Sequence, residues 1–261
     1  MSSLGVIEAV ALAASALTAG AINSMAGGGT LITFPVLLLF GTPPLVANAT
    51  STLGLFLGMG GSFYGYRRQM DAVRIWLRYF LPVSVIGGLL GSVLLTRTSN
   101  EQFARMVPFL LLFATILFLM QGVVRRLVGL NGDPSNHHPH TLLGAIVFQF
   151  AVATYGGYFG AGIGILMLAS FGFMGLSDIH QMNALKTVLG ALINVVSAVW
   201  FIHSGIIDWP RAMLMTIGAF AGYFLGSHFA QRIPQARVRG IITSVGFTIS
   251  GVMFYRQFMA H

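Results

Sequence analysis

Apolar residues run along the chain in blocks of about ten to twenty-five, broken by Gly, Pro or Arg and not by regular alternation. Such blocks predict helices surrounded by apolar groups on every side. Segment A covers about residues 5–23, a glycine loop follows at 26–29, and segment B covers 31–40. B is too short to cross a membrane alone as a straight helix. Gly41-Thr42-Pro43-Pro44 breaks the chain, and Pro44 suits the first turn of segment C, which runs to about residue 66. Segment D covers 73–95 and segment E 103–124. A polar stretch at 125–141 contains Asn131-Gly132-Asp133-Pro134, after which the order recurs. A′ covers 142–155, a second glycine loop 156–164, B′ 165–174, C′ 179–203, D′ 209–231 and E′ 238–258.

Composition places these helices in lipid. Of 261 residues 56% are hydrophobic and 8% charged, about a third of the charged share of a soluble domain, which excludes an ordinary soluble enzyme. The length allows about seven to ten membrane segments with short loops, so the fold expected is an all-α polytopic membrane protein in the lipid bilayer. The residues divide into a first membrane repeat at 1–126, a polar linker at 127–140 and a second repeat at 141–261. The formal charge of +8 comes from Arg and a single Lys. The Arg residues sit between apolar blocks, where they orient helices, so no nucleic-acid partner is expected. The absence of Cys excludes thiolate nucleophiles and Cys-ligated metals, and no cofactor is implied. The stretch at 11–21 has the small residues of a signal-peptide cleavage region, but Glu8 stands where a basic segment would be, so it reads as a retained membrane segment.

The recurrence is measurable. An offset of 135 sets Ala26, Gly27, Gly29 and Leu31 opposite Ala161, Gly162, Gly164 and Leu166, and Asn48, Ala49, Thr52 and Ser62 opposite Asn183, Ala184, Thr187 and Ser197. Gly87, Leu90, Gly91, Ser92 and Arg97 fall on Gly222, Leu225, Gly226, Ser227 and Arg232, and a two-residue shift aligns Asp71 and Arg74 with Asp208 and Arg211. Paired polar residues at one offset indicate a duplication. If the halves are inverted, Arg67, Arg68, Arg74, Arg125, Arg126, Arg232, Arg237 and Arg239 share the inner side, leaving Arg97, Arg105, Arg211 and Arg256 outside. The positive-inside rule therefore predicts inversion. Each half must then cross an odd number of times, which makes A, its glycine loop and B a short-helix hairpin or re-entrant pair ahead of three transmembrane helices.

Asn48, Ser51 and Thr52 in C, and Asn183, Lys186 and Thr187 in C′, each occupy one helix face. Ser62 continues the first stripe, and Gly190, Asn194 and Ser197 the second. The competing reading is helix–helix adhesion, which is preferred for Ser62 and Ser197. Lys186 is retained in an apolar helix either as a snorkelling anchor or as the positive charge of an anion site. The glycine loops, Gly27, Gly28 and Gly29 in one half and Gly156, Gly157, Gly160, Gly162 and Gly164 in the other, precede short helices whose N–H groups could hold an anion; tight helix packing is the alternative. Gly160-x-Gly162 is no dinucleotide loop, because no strand precedes it. Asp71 and Asp208 are expected N-caps. His137, His138 and His140 read as a solvated loop, Glu8 and His228 are candidates for proton movement, and no HExxH, GxGD or nucleophile–base set occurs.

The runs Ala26-Gly27-Gly28-Gly29-Thr30-Leu31-Ile32-Thr33-Phe34-Pro35 and Gly41-Thr42-Pro43-Pro44-Leu45-Val46-Ala47-Asn48-Ala49-Thr50-Ser51 resemble the first half of the TauE/SafE family of sulfite and organosulfonate exporters. Gly160-Ala161-Gly162-Ile163-Gly164 and Gly205-Ile206-Ile207-Asp208-Trp209 resemble its second half, so the likeness covers nearly the whole chain. It implies a carrier in the bacterial inner membrane for a small sulfur-containing anion such as sulfite, sulfoacetate or another sulfonate. Two positions depart from the family pattern: Ala184-Leu185-Lys186 replaces an Ala-Thr-Ser sequence, and Ser170 stands opposite Pro35. An anion channel and, further off, a membrane-embedded enzyme are the alternative classes, and a coupling proton or sodium ion is compatible with the sequence.

Overall fold

A computed structural model describes residues 5–25, 28–59, 70–130, 139–173, 176, 178–229 and 235–258. The described residues form ten helices and no strand: α1 Val6–Met25, α2 Thr30–Leu39, α3 Pro44–Gly58, α4 Met70–Arg97, α5 Asn100–Leu130, α6 Pro139–Tyr158, α7 Ile163–Phe173, α8 Ile179–His203, α9 Trp209–Phe229 and α10 Gln235–Phe258. Helices α1, α4, α5 and α8 contain stretches long and apolar enough to cross a membrane. With apolar residues also covering outward faces, as Met213, Ile217, Phe220 and Phe224 do on α9, the chain is a multi-pass membrane protein.

Helix ends follow local chemistry. Gly41, with a φ of 77°, closes α2 by donating from its N–H to the Leu38 carbonyl while Thr42 N–H reaches Leu37. This paired closure satisfies carbonyls the helix would leave bare, and it needs a left-handed residue after the last turn. Pro43 and Pro44 then open α3 as expected, since the first helical turn has no use for an N–H at that position. The same closure ends α8, where Gly205 N–H donates to Ile202 and Ile206 N–H to Phe201.

Two expectations need correction. The first arm of each hairpin is not short: α1 and α6 each have 20 residues, while α2 has 10 and α7 has 11. At 1.5 Å per residue, the first arms are about 30 Å long. Gly156 and Gly157, assigned to the second glycine loop, are helical and belong to the last turn of α6. A Cβ at Gly157 would overlap the Gly88 carbonyl of α4, so that glycine serves close packing, not a turn.

Helix α1 packs along α9, and α6 along α4. Both contacts are backbone to backbone. A Cβ at Gly222 would overlap the Leu17 carbonyl, one at Gly218 would meet the Ala13 carbonyl at 2.5 Å, and one at Gly91 would overlap the Thr154 carbonyl. Glycine is required because nothing larger lets the axes approach so closely. Around these pairs, α3 lies against α9 and α8 against α4, α2 against α10 and α7 against α5, while α5 meets α10 and α3 meets α8. This pattern maps onto itself when α1–α5 are exchanged with α6–α10. The register is specific too. Gly54 faces Met215 and Gly58 faces Ala219, so α3 runs with α9; Gly88 faces Ile193 and Ser92 bonds Ser197 at 2.9 Å, so α8 runs with α4.

Candidate functional site

The glycine turns come first, because they place the other residues. Gly28 has a φ of 94°, and a Cβ there would collide with the ring of Phe118 on α5. Gly29 is buried against the Ala19 carbonyl, and its N–H donates to Asn23 Oδ1 at 2.7 Å. Leu31 and Ile32 N–H groups donate to Gly28 and Gly29 carbonyls at 3.0 and 2.9 Å. Three of the N–H groups expected to face an anion are therefore engaged within the turn, with Asn23 as the side chain that caps it. Gly27 lies outside the described residues.

In the second turn Gly160 and Gly162 both have a φ of 82°, a conformation that disfavours any side chain. Tyr155 O–H donates to the Ala161 carbonyl at 2.8 Å and pins the loop to the helix it leaves. Gly162 faces Leu117, one residue from the Phe118 that meets Gly28, so both turns abut the same turn of α5. Phe159 packs edge-on to Phe34 of α2 with centroids 5.5 Å apart, joining the second turn to the short helix of the first half.

Helix α3 brings its polar face to this junction. Asn48 is 1% exposed, and its Nδ2 donates to the carbonyl of Tyr158 at 3.0 Å. Tyr158 is the last residue of α6, whose terminal carbonyls lack helical partners, so Asn48 of the first half caps a helix of the second. Asn48 Oδ1 is buried and has no hydrogen-bond partner among the described residues. Ser51 Oγ lies 2.6 Å from Thr33 Oγ1 of α2, and the Thr33 hydroxyl is 3.3 Å from the Gly29 carbonyl. Thr52 donates to the Asn48 carbonyl at 2.9 Å, and Thr187 donates to the Asn183 carbonyl at 2.8 Å. Each threonine proton is thus spent on the preceding turn of its own helix.

On α8, Asn183, Lys186 and Thr187 are all half-buried. The Lys186 stem crosses the first turn of α7, where a Cβ on Gly164 would lie 3.1 Å from Lys186 Cδ and 3.5 Å from Cγ. Gly164 is therefore a packing surface for the lysine stem. Asn48 touches the chain just before the second glycine turn and Lys186 just after it, and α3 packs against α8. One residue of each polar face, Asn48 and Lys186, therefore reaches this turn.

Several residues that sequence reasoning passed over take part. Thr33 was legible only as a letter within an apolar decapeptide, and it bonds Ser51. Thr50 accepts the Asp208 N–H at 3.1 Å, and Tyr158 offers only a backbone atom, which no side-chain motif announces. Gln149, fully buried between α6 and α4, donates to Ser84 at 2.9 Å.

The remaining candidates have structural roles where they are described. Ser197 joins α8 to α4 through Ser92, as the adhesion reading expects. Asp208 accepts the Arg211 N–H at 3.2 Å, an N-cap for α9. Glu8, considered for proton movement, is 2.6 Å from the Arg211 guanidinium, which also pairs with Asp208. Ser62, His137 and His138 lie outside the described residues, as do the side chains of Asp71, His140 and His228. Among the described residues no group of three or more His, Cys, Asp or Glu could hold a metal ion.

Comparison with known proteins agrees with the architecture. The chain is 29% identical over 243 residues to a probable membrane transporter protein of Haemophilus influenzae, covering 92% of each chain. It is 25% identical to the probable membrane transporter protein YfcA of Escherichia coli, over 92% of this chain and 87% of the relative. Against the probable membrane transporter protein YunE of Bacillus subtilis the identity is 24%, over 94% and 97%. No solved structure matches. The family described as sulfite exporter TauE/SafE matches residues 12–253, and with nearly the whole chain matched, this protein is a membrane transporter belonging to the TauE/SafE family.

Proposed function

We propose that the protein is a secondary carrier in the bacterial inner membrane for a small sulfur-containing anion, sulfite or a sulfonate, held between two inverted halves. The observation that carries this reading is the convergence of Asn48 and Lys186 on one glycine turn. It brings one cationic and one polar side chain, from different repeats, to a single turn, and carriers of this architecture bind substrates between their repeats. The description of the family supports sulfite as the first anion to try.

Inversion is supported by register. Ala13 faces Gly218 and Leu17 faces Gly222, so α1 runs with α9, and α3 runs with α9 as well. Helices α6 and α8 both run with α4. The start of α3 is tied to the start of α5, just beyond the end of α4, by Leu45 N–H donating to Asn100 Oδ1 at 3.2 Å. Helix α3 therefore opposes α4, which sets α1, α3 and α9 against α4, α6 and α8. Equivalent helices of the two halves then run in opposite directions. The Arg distribution supports an inner position for Arg67, Arg68 and Arg74.

The test is flux into liposomes holding the purified protein, with sulfite, thiosulfate, sulfate and sulfonates compared under imposed proton and sodium gradients. Saturable uptake of a sulfur anion with counterflow is the expected result. Non-saturating conductance would indicate a channel, and chemical conversion without a compartment would indicate an enzyme.

A further inference from the structure

One strip of α8 is polar, turned into the bundle and yet not filled. At about 100° per residue, Asn183, Thr187, Gly190 and Asn194 fall within about 60° of one another and span about 16 Å of the helix. All four are half-buried. Val199, exposed to lipid at 62%, lies on the opposite side of α8. Buried residues border the strip on both edges, Leu185, Leu189 and Ile193 along one and Ala184, Ala191 and Ala198 along the other. The space beside it is therefore enclosed by protein. Gly190 marks that space, since a Cβ there meets nothing within 4 Å. Every other described glycine with such open space is exposed on the surface, and Gly190 is not. Thr187 spends its proton on the Asn183 carbonyl, while the side-chain amides of Asn183 and Asn194 make no hydrogen bond among the described residues. An amide within a membrane helix needs either a partner or water. The strip stops at Ser197 and Phe201, next along the same face, which are buried, with Ser197 Oγ 2.9 Å from Ser92 Oγ of α4.

We propose that this strip walls a water-filled vestibule inside the bundle, entered from the face of the membrane at which α8 begins, ended by Ser197 and Phe201, and set in width by Gly190. It takes water and small hydrophilic solutes, because these four residues supply amide donors and acceptors without a formal charge. The vestibule gives the carrier reading its entry path, yet it stands on the geometry of α8 alone. The first half lacks the opening. Leu55, opposite Gly190 at the offset of 135, is 5% exposed, so a leucine fills the place that glycine leaves empty. One half is open where its repeat is shut, as expected of a carrier that faces one side at a time.

The test uses single thiols in the full chain, which has no Cys of its own. Gly190→Cys, Asn194→Cys and Val199→Cys are treated with a charged, membrane-impermeant methanethiosulfonate in right-side-out and inverted membrane vesicles. Thiols react as thiolates, which need water, so Gly190→Cys and Asn194→Cys should react at least about 10-fold faster than Val199→Cys. They should do so from the face that labels Gln69→Cys, just ahead of α4, because α8 runs with α4. Gly190→Leu, which copies the first half, should slow Asn194→Cys to the rate of Val199→Cys, whereas Gly190→Ala should not. Rates at 190 and 194 no faster than at 199, or equal from both faces, overturn the proposal. Unaltered labelling of Asn194→Cys beside Gly190→Leu overturns the role given to Gly190. Thr187→Cys leaves Gly190 intact and must give the same reading, so the vestibule is tested even where a Gly190 variant does not insert. Water access does not depend on which solute moves, so a lack of sulfur-anion flux would count against the carrier reading and not against the vestibule.

Discussion

Lys186 can be replaced in ways that separate charge from packing. Methionine keeps the stem that crosses Gly164 and removes the ammonium. A charge-assisted bond to an anion is worth about 1.5–3 kcal/mol, so Lys186→Met should weaken substrate binding by about 10- to 150-fold without reducing insertion. Lys186→Arg should keep part of the affinity. Unchanged half-saturation in Lys186→Met, measured by liposome uptake, would reduce the residue to an anchor. Gly28 offers a contrasting test. Its positive φ and the Phe118 ring leave no room for a Cβ, so Gly28→Ala should lower thermal stability in detergent by about 1–3 kcal/mol; an unaltered melting temperature would refute that account. At this scale the sequence was legible where a residue type is rare in its setting. A lone lysine in an apolar helix, or asparagines at a repeated offset, stand out in lipid. Backbone partners such as the Tyr158 carbonyl do not, because every residue has one, and only the fold says which is left bare.

Between helices, glycines of identical appearance have opposite roles. Gly144 and Gly157 both lie inside α6, yet a Cβ at Gly144 meets nothing within 4 Å, whereas one at Gly157 would overlap the Gly88 carbonyl. Gly144→Ala should therefore stabilise by about 0.5–1 kcal/mol through the lost backbone freedom of glycine in a helix. Gly157→Ala should destabilise by about 1–3 kcal/mol through overpacking against α4. Thermal unfolding of the two variants in the same detergent checks the sign of each. This pair also explains why the second glycine loop was drawn too long from sequence: composition cannot tell a glycine that permits a turn from one that permits contact. Helix existence and the proline-marked start of α3 were readable, since Pro44 acts through local geometry. The extension of α6 back to Pro139 was not, because Pro139, His140 and Thr141 carry no apolar pattern.

For the whole molecule, the recurring order of helices was readable in the sequence, but the exchange of partners between halves was not. An offset says which helices are equivalent and nothing about which ones touch. Topology is open to direct labelling because the chain has no Cys. Single substitutions Gln69→Cys and Ser204→Cys, at equivalent sequence positions of the two halves, should react with an impermeant maleimide from opposite faces of the membrane. Reaction from the same face would sink the inverted arrangement and the site built on it.

The swapped pairing also fixes a timetable. Helix α1 is made long before α9, which carries the glycine face that α1 packs on and ends at Phe229. At translation rates of about 5–20 residues per second, α1 waits roughly 10–40 s for that partner. Helix α4, by contrast, waits only for α5 to pass before α6 follows. The nascent chain must therefore hold α1 in the bilayer with its α9-facing side open to lipid or to an insertion chaperone, and that side closes only once α9 has been made. Quality control in the membrane has one late event to watch.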